Sequence, residues 1–83
     1  MDRRDFLSVM RVLKAFYLDW DFNFVDKIQV ETWYAYLQDM GFEKLKQVVN
    51  YYISKHNSGP KNPGELLRAQ IEFDIKQKIN EGN

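Results

Sequence analysis

The stretch Thr32–His56, TWYAYLQDMGFEKLKQVVNYYISKH, decides the fold. On its N-terminal side Val30, Trp33, Tyr34, Leu37 and Met40 recur at the spacing of one helical face, with Gln29, Glu31, Thr32 and Gln38 opposite. On its C-terminal side Leu45, Val48, Val49, Tyr52, Ile53 and His56 repeat the pattern, with Lys44, Lys46, Gln47, Asn50 and Lys55 on the other face. The joint is Asp39-Met40-Gly41-Phe42, where Gly41 suits the left-handed residue that ends a helix. A joint this short makes the two helices antiparallel neighbours. Two helices, about 26–39 and 43–56, follow from this stretch. Tyr36 sits off the stripe, either exposed or turned against helix one.

Working outward, Asp5 reads as the cap of a first helix, about 6–17. Its apolar residues, among them Phe6, Met10, Leu13 and Phe16, cover more than half the circumference, leaving Ser8, Arg11 and Lys14 as a narrow polar edge. Such a helix is central to a core or covered on two sides, and the second cover can be a partner. From Leu18 to Asn23 the helical period breaks. Trp20, Phe22 and Phe24 alternate with Asp19, Asp21 and Asn23, too short a run for a sheet without a second strand. An extended connection that tucks its rings onto the helices is expected. Asp19, Asp21 and Asn23 match the start of a calcium loop, but Phe24 stands where the turn glycine belongs and Val30 where the bidentate glutamate belongs. Calcium binding is not expected.

Toward the C-terminus, Asn57–Lys61 is a loop and Asn62-Pro63-Gly64-Glu65 is a helix start. Asn62 is the cap, Pro63 the first helical residue, and Glu65 closes a capping box. The fourth helix, about 63–80, carries Leu67, Ile71, Ile75 and Ile79 at a strict spacing of four, with Leu66 and Phe73 off that line. Residues four apart drift by about 40° around a helix, so one straight contact cannot bury all four. The first turns are expected to dock and the last turns to project. Residues 81–83 are expected to fray. The fold class is all-α: a small bundle of four helices with short connections, one domain over residues 1–83. Its core is expected at Phe6, Met10, Leu13, Phe16, Trp33, Leu37, Leu45, Val48, Val49, Tyr52, Ile53 and Leu67.

Eighty-three residues give one small domain, whose net stability is on the order of 5 kcal/mol. There is no cysteine, so neither a disulfide nor a thiolate zinc site is available. No apolar run approaches the roughly 20 residues of a bilayer span, so no membrane association is expected. The start, MDRRDFLSVM, lacks the apolar run and cleavage site of a signal peptide. Twelve basic and twelve acidic residues cancel, unlike the basic excess of a general nucleic-acid binder. The charges are segregated. Residues 17–43 hold six acids and one base, net −5, and residues 44–68 hold five bases and one acid, net +4. This polarity either pairs one helix with another or orients a partner.

No catalytic constellation emerges. His56 is the single histidine, and its pairing with Ser58 would straddle a helix end with no oxyanion hole in view. For His56 a capping or packing role is expected. Gly59-Pro60-Lys61 lacks the spacing of a phosphate loop. No enzyme activity, metal or cofactor is expected. Lys44, Lys46, Lys55 and Lys61 form a basic strip on and after helix three that could touch DNA phosphates, although the acid-rich preceding helix would repel them.

Several of these features come in a familiar order. An aromatic end to helix one (Ala15-Phe16-Tyr17) leads to a short aromatic connection. Trp33 and Leu37 follow, then the break Asp39-Met40-Gly41-Phe42-Glu43. A third helix ends in Tyr52-Ile53, and a proline-led start follows at Gly59-Pro60-Lys61-Asn62-Pro63-Gly64-Glu65-Leu66. This order resembles the helical N-terminal domain of the phage replicative-helicase loader and inhibitor family, over about residues 6–67. Two departures are Tyr17-Leu18, where a tyrosine-proline pair is common, and a more polar loop before helix four. The resemblance implies a phage DNA-replication adaptor in the host bacterial cytoplasm. Such an adaptor binds the replicative helicase, restrains it, and helps load it at the origin beside an origin-binding initiator. It also implies that the segment after the folded domain contacts the helicase; here Arg68, Ile71, Glu72, Ile75, Lys76 and Ile79 are the candidates. Two alternatives stay open: a small DNA-binding phage regulator using the basic strip, and an inhibitor of a host replication protein, whether helicase or loader.

Overall fold

The computed structural model describes residues 1–81, without the Glu81 side chain; of the expected frayed tail, Gly82 and Asn83 lie outside the described residues. The described chain is all-α, with four helices: α1 (Arg3–Phe16), α2 (Lys27–Leu37), α3 (Phe42–Lys55) and α4 (Pro63–Glu81). A single 3₁₀ turn, Gln38–Met40, follows α2.

The helix ends follow from local chemistry. α1 starts three residues before the sequence expectation, because Asp2 rather than Asp5 is the cap: its carboxylate accepts from the Asp5 N–H at 2.8 Å. Asp5 instead lies in the first turn, where the helix dipole favours an acid. Asp26 caps α2, accepting from the Ile28 and Gln29 N–H groups at 3.0 and 3.2 Å. Gly41 has φ +85° as expected, but its ψ of 156° is extended rather than left-handed helical. It serves both as the end of the 3₁₀ turn and as the cap residue of α3. Glu65 reaches back past Asn62 and accepts from the Lys61 N–H, so the expected capping box is displaced by one residue.

The core is one cluster drawn from every helix and from the connection after α1. Phe6, Met10, Leu13, Leu37, Leu45, Val48 and Leu66 have no exposed surface, and Val9, Trp33, Val49 and Tyr52 are nearly as deep. Three expected core residues are placed differently. Phe16 is 58% exposed, because α1 ends there and Tyr17 turns inward, donating its hydroxyl hydrogen to the His56 carbonyl at 2.8 Å. Leu67 is half-buried, because Leu66 and Ala69 form the inward face of α4 with Phe73 packed alongside. Ile53 is likewise half-buried at the edge of the cluster.

The aromatic connection is tucked inward as its alternation predicted. Trp20 and Phe22 are buried and stacked at 4.9 Å, and both set an edge against Trp33. The Trp20 indole N–H donates to the Pro60 carbonyl at 2.7 Å, tying this connection to the α3–α4 loop. Gly59 makes that approach possible, since a Cβ there would lie 2.7 Å from the indole Cγ. Lys14 donates to the carbonyls of Leu18 and Trp20 and so holds the turn that starts the connection. No helix is long and apolar enough to cross a membrane among the described residues.

Candidate partner-binding surface

α4 carries apolar residues on two opposed faces. Its inward line, Leu66, Ala69 and Phe73, packs on α3, where Tyr51 meets Phe73 edge-on at 6.0 Å and Lys44 pairs with Asp74 at 2.6 Å. Its outward line is Ile71, Ile75 and Ile79, which are 60%, 54% and 60% exposed. A four-residue step advances by about 400°, so the three lie within about 80° of one another, on the side away from Leu66. Each of residues 74–80 is exposed. The molecule extends 45 × 26 × 18 Å, the long dimension of a domain with a projecting helix.

All six sequence candidates are exposed. Arg68, Ile71, Ile75 and Ile79 share the outward face, and Glu72 and Lys76 flank it on the side toward Tyr51. Lys76 Nζ stands 5.3 Å from the Tyr51 ring centroid, and the Tyr51 hydroxyl is 3.4 Å from a Glu72 carboxylate oxygen. The ridge therefore has an apolar crest and a charged shoulder, the composition of a helix face that pairs with another apolar surface.

A second feature was not found from sequence. Thr32 and Tyr36 on α2 and Pro63, Gly64 and Leu67 on α4 line a shallow apolar groove. Tyr36 is 61% exposed, which resolves its two expected positions in favour of the surface. Leu67 joins this groove to the isoleucine ridge, because it lies one four-residue step before Ile71. The only sequence sign of the groove was that Thr32 and Tyr36 sit four apart, on the flank of the Trp33 stripe rather than on it. Further exposed apolar side chains are Leu18, Val25 and Ile28 around the connection, and Val12 beside Phe16 on α1.

The charge segregation does not become a helix-to-helix zipper. Among the described residues the ion pairs are Arg3–Glu31 at 2.6 Å, Lys44–Asp74, and Lys46–Glu43 at 3.1 Å. The first raises the Arg3 pKa and lowers that of Glu31, chiefly through their hydrogen bonds. Asp19, Asp21 and Asp39 take no part in any of these pairs. The basic strip of α3 is largely engaged within the domain: Lys44 with Asp74, Lys46 with Glu43 and the Phe42 ring, and Lys55 over Tyr51.

His56 stacks on Tyr52, with ring centroids 4.1 Å apart and planes 15° from parallel. The Tyr52 hydroxyl donates to the Ser58 carbonyl at 2.8 Å, and burial, with Glu65 and Tyr17 nearby, pushes its pKa up to about 12. These aromatic hydroxyls act as clamps on the α3–α4 loop. No group of three histidine or carboxylate side chains that could hold a metal ion is present among the described residues.

Comparison with protein families places the domain. No curated protein and no solved structure matches the chain. The family model for the N-terminal domain of the phage gene 39 protein matches residues 1–66, which takes in α1 to α3 and the first turn of α4. The chain therefore belongs to the gene 39 protein N-terminal domain family, the N-terminal domain of a phage helicase loader and inhibitor.

Proposed function

We propose that this chain is a phage DNA-replication adaptor with no chemistry of its own. It binds the replicative helicase, restrains it and helps load it at the origin, beside an origin-binding initiator, in the cytoplasm of the host bacterium. Family membership supports a helicase-related role. The observation that carries the contact is the ridge of α4, with Ile71, Ile75 and Ile79 each more than half exposed on a helix that outruns the core. Arg68, Glu72 and Lys76 supply the charged shoulder that would set the register of the contact.

The rival DNA-binding reading has less support, because Lys44, Lys46 and Lys55 each have a partner inside the domain. The host-directed reading uses the same ridge on a different protein, so the choice of target distinguishes it. The experiment presents the purified chain to phage and host replicative helicases separately, measuring binding and helicase ATPase activity. The expected result is binding with reduced ATPase activity, and a loss of at least tenfold in affinity for the double substitution Ile71→Asp, Ile75→Asp. These positions are exposed, so circular dichroism should show the fold retained. Unchanged binding by the folded double variant would remove α4 as the contact. Retention on DNA that weakens steeply with salt, with neither helicase bound, would favour the DNA-binding regulator.

A further inference from the structure

We infer that the outward ridge of α4 pairs with the same ridge of a second copy, antiparallel, about a two-fold axis at Ile75. This goes beyond the helicase reading and does not rest on it. The ridge is an exposed apolar face on a helix whose last turns leave their own core. In the antiparallel register Ile75 meets Ile75 of the second copy, and Ile71 meets Ile79 on either side. The two globules then sit at opposite ends of the pair, because each packs on the N-terminal half of its own α4.

Charge selects this orientation. Relative to the isoleucine crest, Glu72 and Lys76 lie on one flank of α4, and Asp74 and Lys78 lie on the other. A two-fold antiparallel pair brings like flanks together. Glu72 then lies about 3 Å along the axis from Lys76 of the second copy, and Lys78 about 3 Å from its Asp74, using a rise of about 1.5 Å per residue. Each of these attractive approaches occurs twice about the two-fold axis. The like-charge approaches at that distance, Lys76 to Lys76 and Asp74 to Asp74, each occur once. Asp74 also holds Lys44 in its own copy, and a carboxylate has lone pairs for both. A parallel pair brings opposite flanks together and reverses the balance. It sets Glu72 against Asp74 and Lys76 against Lys78, with Lys76 against Asp74 as the one attractive approach. Four charged residues in one short segment thus favour the antiparallel partner over the parallel one.

The contact is short, about 12 Å from Ile71 to Ile79. A strip that long and one helix wide covers on the order of 100 Å², well below the roughly 800 Å² per partner of a stable interface, so pairing is expected only at high protein concentration. Where the pair forms, the ridge is covered and unavailable to any other protein.

Single cysteines test the register, because the natural chain has none. With helix axes about 9 Å apart and Cα atoms about 2.3 Å off each axis, facing Cα atoms are about 4 to 5 Å apart, within reach of a disulfide. Concentrated Ile75→Cys protein, oxidised with copper phenanthroline, is expected to give a covalent dimer. Ile71→Cys and Ile79→Cys are each expected to stay monomeric when oxidised alone, because each lies about 12 Å along the axis from its own counterpart. Mixed, those two should crosslink to each other. Sedimentation of the unmodified protein should show its mass rising from 10.0 kDa toward twice that value with concentration. Lys76→Glu should suppress that rise, and the charge-swapped pair Glu72→Lys, Lys76→Glu should restore it. Crosslinking of all three single variants alone would mean a parallel pair and overturn the proposal. A monomer at every concentration with no crosslink from Ile75→Cys, or a dimer unaffected by Ile75→Asp, would overturn it equally.

Discussion

Gly59→Ala tests how the aromatic connection is held. Gly59 lies between His56, where α3 is capped, and Pro63, where α4 begins, and its Cα faces the Trp20 indole. A methyl group there would stand 2.7 Å from Trp20 Cγ and 3.0 Å from Nε1. The ring has little freedom to retreat. It is 5% exposed, stacks on Phe22 at 4.9 Å, sets an edge against Trp33 at 5.7 Å and donates to Pro60 at 2.7 Å. Overpacking a tight site costs about 1 to 3 kcal/mol. Breaking the indole hydrogen bond would leave a buried donor and acceptor unpaired, for about 1 to 3 kcal/mol more. The expected loss is therefore about 2 to 6 kcal/mol, against a net stability of about 4 to 12 kcal/mol for a chain of this length. Urea and thermal unfolding read it, with a fall in Tm of about 10 °C or more. Tryptophan emission reports the displacement directly, since Trp20 and Trp33 are the two tryptophans. A Tm within about 2 °C of the parent, with unchanged emission, would refute the steric argument. Gly41→Ala is the contrasting case: nothing lies within 4 Å of a Cβ there, but φ is +85°. Its cost is expected at about 1 to 3 kcal/mol from backbone strain alone, with tryptophan emission unchanged.

Three further outcomes are expected. Asp26→Ala removes the acceptor for two N–H groups at the start of α2 and should cost about 1 kcal/mol in urea unfolding, whereas Asp26→Ser should recover most of it. Leu66→Ala should cost about 2 to 5 kcal/mol, while Phe16→Ser should change stability by less than about 1 kcal/mol, reversing the order expected from their apolar pattern. Tyr52 gives an alkaline limit, because its folded pKa of about 12 lies above the ordinary tyrosine value of 10.0. The unfolded chain releases that proton first, so the contribution is present below pH 10 and is lost as the pH rises toward 12, up to about 3 kcal/mol in all. Tyr17, raised by burial, acts in the same direction. Tyr52→Phe should flatten part of that decline in stability between pH 10 and 12.

The sequence alone determined the helical class, the break at Gly41 and the proline-led start of α4. Each is written within a few residues: a 3.6-residue period, a positive-φ glycine, a proline at the first helical position. The antiparallel pairing expected across that break is not the main packing, since α3 packs chiefly on α1 and α4, and α2 on α4. It also marked the isoleucine line of α4, because strict four-residue spacing drifts away from any one contact. The tertiary structure decided which side of each apolar helix faces inward. α1 and α4 are apolar over much of their surface, so local pattern could not separate Phe16 from Tyr17 or Leu67 from Leu66. Tyr17 is chosen by the carbonyl of His56 and Leu66 by the faces of its neighbouring helices, and both partners are distant in sequence. The same holds for the lysines of α3. Their spacing suggested an open basic strip, and only the approach of Asp74 shows that Lys44 already has a partner. Periodicity reports that a face is apolar or charged; what that face meets depends on chain segments tens of residues away, and only the packed fold brings them together.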